Sequence, residues 1–377
     1  MSVPQQSVPM WVKTFLVPAI QLSVALVISS LVVLLVGESP TEAFGVMIKG
    51  ATNFEYGGLS NTLYYATNFV FTGLAVAVAF HAGLFNIGGE GQAYIAGLGI
   101  GILMLLLDGV LNMWLMAPLA IIVAAAFGAL WGAIPGYLQA KRGSHIVVTT
   151  IMFNFIAASI MGYALVEHIA KYGGNSTDSR YFNPEAVFPK LYELGANWGI
   201  ELPFSLLNPS ILIALLVAYL VWVLLFRTRL GYAIRVVGHN ATAAEYAGID
   251  AKKIIIIAMT ISGALAGLMA VNEVYGAQNR LILNFSGGFG FIGIAVALMG
   301  RNHPFGIVVA ALLFGALYQG GTELQFEMPS LNPELIMVIQ GLVIFFTGAM
   351  DRLIRKPVED FFMRRSAKAA EVTHGAV

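Results

Sequence analysis

Between Glu55 and Lys141 the only acidic or basic side chains, histidine aside, are Glu90 and Asp108. Asp108 closes an apolar run, where water reaches it. Glu90 lies inside His81-Ala-Gly-Leu-Phe-Asn-Ile-Gly-Gly-Glu-Gly-Gln92, a polar, glycine-rich interruption between two apolar runs. An ionisable group at membrane depth marks a functional site by default, and irregular backbone is tolerated there only inside protein or along a water-filled cavity. Asn86, Glu90 and Gln92 offer donors and acceptors to a polar solute, and Gly88, Gly89 and Gly91 permit a tight turn or close helix contact. Phe85 and Phe80 could stack on a base or cover a sugar face, or simply pack. The plainer alternative is a short loop with Glu90 in water or capping the next helix. A second break, Asn284-Phe-Ser-Gly-Gly-Phe-Gly-Phe-Ile-Gly293, precedes another short apolar run.

These segments need a membrane to make sense. The chain has 377 residues, 58% hydrophobic and 11% charged, with a mean hydropathy of +0.80. A soluble surface carries about 25% charged residues. The fold class that follows is an all-α integral membrane protein. Reading for runs of about 20 apolar residues gives about ten transmembrane helices, near 14–36, 60–81, 91–107, 114–138, 146–166, 209–226, 253–275, 288–300, 305–322 and 333–350. The runs 91–107 and 288–300 are short and glycine-rich, so a broken or re-entrant path is expected there. Two large apolar blocks, 60–166 and 253–350, each hold one glycine-rich break, which suggests two related halves. The 41 glycines suit helices packed closely in lipid.

Basic residues orient the chain. With ten spans and a cytoplasmic N-terminus, only Lys49, Lys171, Arg180, Lys190 and Arg280 of the 20 lie outside, as the positive-inside rule demands. Both termini are then cytoplasmic. The membrane domain covers 1–350, with an external loop at 167–208 and a cytoplasmic loop at 227–252, and 351–377 is a cytoplasmic tail. Within 167–208 the residues 184–195 suit a short helix, and a sequon stands at Asn175-Ser176-Thr177. Asn68, Asn154, Gln319 and Gln340 are isolated polar residues within spans, suited to interhelical bonds or to solute. Asn272, Glu273, Gln278 and Asn279 cluster at the outer end of the seventh span, as an outer gate, a protein contact or a hydrated helix end. In the inner loop Ala241-Thr-Ala-Ala-Glu-Tyr-Ala is a short helix former that Asn240 can cap and Gly248 can end.

Two stretches carry a resemblance. Gly83-Leu-Phe-Asn-Ile-Gly-Gly-Glu-Gly-Gln92 and Gly238-His-Asn-Ala-Thr-Ala-Ala-Glu-Tyr-Ala-Gly-Ile249 resemble the permeases of ABC importers for simple sugars, nucleosides and branched-chain amino acids. Ile261-Ser-Gly-Ala-Leu-Ala-Gly267 and Gly288-Phe-Gly-Phe-Ile-Gly-Ile-Ala-Val-Ala-Leu298 fit in order and spacing. The Gly-Leu-Phe-Asn-Ile-Gly form is similar to the nucleoside branch more than the ribose branch. The resemblance implies a ten-span subunit in the bacterial inner membrane, paired as a homodimer or heterodimer. It also implies a cytoplasmic ATP-binding subunit, with Asn240, Ala243, Ala244, Glu245, Gly248 and Ile249 as the helix that docks on it, and an external solute-binding protein. Phe85, Asn86, Glu90, Gln92 and Asn68 would then line or shape the path of a small polar solute, a nucleoside, with a simple sugar as the alternative. An ion-coupled transporter with Glu90 as its coupling carboxylate is the rival class.

Other chemistry is excluded by composition. There is no cysteine, hence no disulfide or thiolate metal site. No Gly-x-x-x-x-Gly-Lys-Ser/Thr loop is present, so ATP must be hydrolysed by another chain. Scattered histidines without metal-ligand spacing argue against a membrane protease. Twenty basic against 20 acidic residues leave no field for nucleic acid.

Overall fold

The computed structural model describes residues 16–170, 177–331, 333–346 and 356–363, with positions 9, 12 and 353 besides. Asn175 and Ser176 of the sequon, and the tail beyond Met363, lie outside the described residues. Between Val17 and Ile344 fourteen α-helices follow in order among those residues: α1 Val17–Leu35, α2 Pro40–Thr52, α3 Gly58–His81, α4 Gly89–Leu107, α5 Met113–Arg142, α6 Ile146–Ala164, α7 Leu191–Asn197, α8 Ser210–Arg227, α9 Arg229–His239, α10 Ala241–Tyr246, α11 Ala251–Gly267, α12 Phe289–Met299, α13 Pro304–Glu327 and α14 Pro333–Ile344. α6 runs on as a π-helical turn, Leu165–Ile169, and α11 is followed by another, Val271–Gln278.

The fold is all-α and membrane-spanning. Seven helices are long and apolar enough to cross a bilayer: α3, α4, α5, α6 with its π turn, α8, α11 with its π segment, and α13. α1, α12 and α14 occupy the other three expected spans. α12 has 11 residues, about 16 Å of helix, and so reaches through only about half of a ~30 Å hydrocarbon layer. α4, by contrast, is an unbroken helix of 19 residues. The irregular backbone expected within it lies just before it, at 82–88.

The chain forms two compact units, Met47–Gly320 and Met1–Val46 with Gly321–Val377. In the smaller unit α1 packs on α14, and the Ser330 hydroxyl donates to Glu38. In the larger unit α3, α4 and α11 are central, with 83%, 72% and 67% of their apolar windows buried, whereas α5, α6 and α8 turn most of their surface outward. Glycine sets the spacing. Gly128 and Gly132 of α5 face Met259, Gly263 and Gly267 of α11, four residues apart on each helix, so that a Cβ on Gly132 would sit 2.9 Å from the Gly263 Cα. Side chains there would force the helices apart.

The segment after α6 is stitched into the bundle. Ser179 N donates to Leu281 O at 2.9 Å, Phe182 N to Asn279 O at 2.8 Å, and the Tyr275 hydroxyl to Ala186 O at 2.7 Å. The helix expected over 184–195 is α7, at Leu191–Asn197. Pro184 and Pro189 disfavour helix in the residues before them, so it starts only beyond Pro189.

Candidate functional site

The chain turns back into the bundle after α3. Gly83, with φ +73°, lets it reverse where no side chain would be comfortable. Asn86 then lies at the level of Ala75, because its Nδ2 donates to Ser262 Oγ at 2.8 Å and Ser262 donates to Ala75 O at 2.6 Å. Ala75 is six residues inside the His81 end of α3, about 9 Å. The 83–92 segment therefore re-enters the span. The polar side chains Asn86, Glu90 and Gln92 in it all find partners, as buried groups must. Asn86 and Gln92 bond each other, Asn86 Nδ2 to Gln92 Oε1 at 3.0 Å and Gln92 Nε2 to Asn86 Oδ1 at 3.2 Å. Asn154 of α6 clamps the turn, accepting from Gly91 N and donating to Ile87 O, both at 2.9 Å.

Glu90 is buried, 5% exposed, which removes the alternative of a carboxylate in loop water. Its bonds go to α12 rather than to α4, whose first turn it occupies. It accepts from Gly288 N at 3.0 Å, from Gly290 N at 2.9 Å and from the Ser286 hydroxyl. The two glycine-rich breaks, some 200 residues apart in sequence, thus meet in one seam. Glycine permits the approach: a Cβ on Gly290 would sit against the Glu90 backbone N and 2.7 Å from its Cα. The carboxylate compensates the positive end of the half-length α12, and its acceptor positions are filled by the chain's own donors.

A second buried carboxylate stands on the π segment. Glu273 accepts from the Tyr64 hydroxyl and from Asn68 Nδ2, each at 2.5 Å, and Gln278 reaches it too. Asn272 Nδ2 donates to Asn68 Oδ1 at 2.9 Å, and Asn208 Nδ2, just before α8, donates to Asn272 Oδ1 at 3.0 Å. Asn272 and Glu273 are therefore core residues and not a hydrated helix end. Asn68 is no isolated amide but the centre of this chain of bonds.

Between the two carboxylates lies an aromatic cluster that the sequence reading missed. Tyr65 and Phe69 of α3, Phe289 of α12, and Phe314 and Tyr318 of α13 pack together, edge to face for Phe289–Tyr318 at 5.3 Å and Phe69–Phe289 at 5.5 Å and tilted for Tyr65–Tyr318 at 4.6 Å. Its signal in the sequence was the i, i+4 pairs Tyr65/Phe69 and Phe314/Tyr318, which apolar surroundings disguise as packing. Phe85 lies elsewhere, half-buried and edge-on to Phe80 at 5.2 Å.

The loop 227–252 touches the start of the re-entrant segment. A Cβ on Gly238, in α9, would sit 2.8 Å from Gly83 N. α10 forms as expected, capped by Asn240 Oδ1 on Ala243 N at 3.0 Å and ended at Gly248 with φ +77°. Ala243, Glu245 and Gly248 are exposed and Ile249 half-buried. Ala244 faces inward with no exposure, whereas Tyr246 stands 92% exposed. Ala244 therefore cannot touch a partner directly. At the far end of α4, Arg180 binds Asp108 through two nitrogens at 2.7 and 2.8 Å. That guanidinium, outweighing burial and helped by Asn183 N, holds the Asp108 carboxyl below its ordinary value. Among the described residues no group of His, Asp and Glu could hold a metal ion.

The comparisons with known proteins agree on a permease and differ in the solute that their names give. The family profile described as branched-chain amino acid transport system / permease component matches residues 58–348. The glucose ABC transporter permease protein TsgB13 of Haloferax volcanii is 31% identical over 99% of this chain and 97% of its own. The guanosine ABC transporter permease protein NupP of Bacillus subtilis is 34% identical over 89% of this chain and 93% of its own. The guanosine ABC transporter permease protein NupQ of the same bacterium is 31% identical over 67% of this chain and 78% of its own.

Proposed function

The chain belongs to the family of branched-chain amino acid transport system permease components, and on that premise we propose that it moves nucleosides inward across the inner membrane. As the permease of an ABC importer it is not itself an enzyme; ATP is hydrolysed by a separate subunit. The observation that carries the reading is the joining of the two glycine-rich breaks at Glu90, in a chain 34% identical to a guanosine permease protein. Two guanosine permease proteins of one bacterium both match, which supports a pairing of unlike permease subunits.

The membrane domain spans 1–350, and 351–377 forms a cytoplasmic tail, with both termini inside. The loop 167–208 receives an external solute-binding protein. The loop 227–252 receives the ATPase, through the exposed Asn240, Ala243, Glu245 and Gly248, with Ile249 beside them and Ala244 seating the helix from beneath. Gly238 resting on Gly83 gives a push on α9 a direct route to the seam. Asn86, Glu90, Gln92 and Asn68 shape the path by fixing α12 and the π segment, and Phe85 stands where that route begins.

Uptake of labelled guanosine and glucose into ATP-loaded vesicles, with the whole transporter expressed, tests this reading. Guanosine uptake that requires internal ATP is expected. Glucose uptake alone would move the protein to the sugar branch, the second reading that TsgB13 supports. Uptake that collapses with a protonophore but survives without ATP would overturn the ATP-driven mechanism.

A further inference from the structure

α12 starts halfway through the span, so the other half of its column must be lined by something else. The stretch 281–288 runs along α4, where Phe285 lies over Gly97 and Leu281 over Gly101. At the head of α12 the surface is open: Asn284 and Gly287 are exposed, and Tyr65 and Tyr318 are half-buried. Beneath those tyrosines Phe69, Phe289 and Phe314 are buried, at 0%, 5% and 4% exposure. The cluster thus has a packed floor and one accessible face, and that face is the tyrosine pair.

Its depth matters. Tyr65 is the eighth residue of the 24-residue α3 and Tyr318 the tenth from the end of the 24-residue α13, which places them about 10 and 13 Å from those helix ends. Two tyrosines packed on Phe289, with the exposed Asn284 five residues before it in the chain, suit a polar solute with a flat ring. Aromatic faces bind bases with little regard to sequence or substituent, because each base has a π-face. Tyr94 donates to Asn284 Oδ1 at 2.6 Å, which fixes the amide and leaves its nitrogen end for a solute acceptor.

We propose that Tyr65 and Tyr318, seated on Phe289, are the base-contacting pair on the permease, holding the planar ring of the nucleoside at the head of α12 while Asn284 contacts its polar edge. The inference rests on the nucleoside reading above.

The test is photolabelling of the intact transporter with 8-azidoguanosine, followed by peptide mapping. Label is expected on the segments holding Tyr65, Tyr318 and 283–289, displaced by guanosine and not by ribose. Tyr65→Leu and Tyr318→Leu should each reduce labelling about tenfold, the order of one lost base–aromatic contact, and Tyr318→Phe should keep most of it. Should the leucine variants fail to reach the membrane, the map on the unaltered chain still decides. Guanosine uptake with label only on other segments overturns this proposal and leaves the nucleoside reading standing. Absence of guanosine uptake removes that reading and this proposal with it.

Discussion

Glu90→Ala separates a carboxylate that meets solute from one that holds the fold. The change removes the acceptor for three donors, Gly288 N, Gly290 N and the Ser286 hydroxyl. Each buried donor left without a partner costs about 1–3 kcal/mol. Gly288 is half-buried and a serine hydroxyl can turn elsewhere, so a total near the lower end, about 3–5 kcal/mol, is expected. Glu90→Gln keeps the volume and one carbonyl acceptor but points an amide donor at other donors, and should cost about 1–3 kcal/mol. Reversible unfolding in mixed micelles, followed by circular dichroism, reads the difference. The expected order is unaltered chain, then Gln, then Ala, with transport falling in step with folded protein. Glu90→Ala within about 0.5 kcal/mol of the unaltered chain, the range of a surface change, yet without transport, would refute the reasoning and return Glu90 to the solute or a coupled ion.

Three further outcomes are expected. Tyr246→Ala and Ala243→Trp should leave the permease folded but reduce co-purification of the ATPase several-fold, whereas Ala244→Trp, at a position with no exposure, should lose folded protein first; size-exclusion profiles with and without the ATPase tell these apart. Because Arg180 lowers the Asp108 pKa, their pair adds stability above the unfolded value of about 3.9 and loses it as pH falls through the lower folded value. Protease cleavage within 178–190 should stay flat from neutral pH to about 5 and rise below about 4, and Asp108→Asn should show the raised cleavage at every pH. Gly263→Val puts a branched side chain against Gly128 and Gly132 and should cost about 3 kcal/mol or more, while Gly109→Ala, with nothing within 4 Å of its Cβ, should cost little in a thermal-shift comparison.

What the sequence showed and what it hid divide along one physical line. Spans were legible because a bilayer imposes a length and a hydropathy on each helix. The cap and stop of α10 were legible because Asn240 and Gly248 act within a few residues of themselves. The glycine-rich breaks were legible as breaks, since polar residues interrupt apolar runs only for a reason. Their pairing was not, because Glu90 meets Gly290 across 200 residues of chain and Tyr64 meets Glu273 across 209. Glu273 looked like a residue of a wet helix end because it follows an apolar run and precedes Gln278 and Asn279. Only the π segment, which keeps the backbone helical past Gly267, carries it into the core. The aromatic cluster was hidden for the opposite reason: in an apolar helix a tyrosine at the right spacing looks like packing.

The stretch 271–290 is pinned at both ends. Glu273 ties its start to Tyr64 and Asn68 of α3, and Glu90 of α4 ties its end at Gly288 and Gly290. α11 is locked to α5 by facing glycines, and α13 to α3 by Gly315 against Thr62 and Ala66. A motion sliding α3, α4, α5, α11, α12 or α13 past one another would break a buried carboxylate bond or open a glycine contact. These six helices should therefore move as one body, with alternating access arising where this body meets a second permease subunit. Spin labels test this cleanly, because the chain has no cysteine of its own. Cysteines at Ile122 of α5 and Val309 of α13, 62% and 68% exposed, should keep one distance distribution in resting and ATP-trapped transporter. A shift of several ångströms between those states would show that the body hinges internally, with a buried carboxylate bond broken or a glycine contact opened in each cycle.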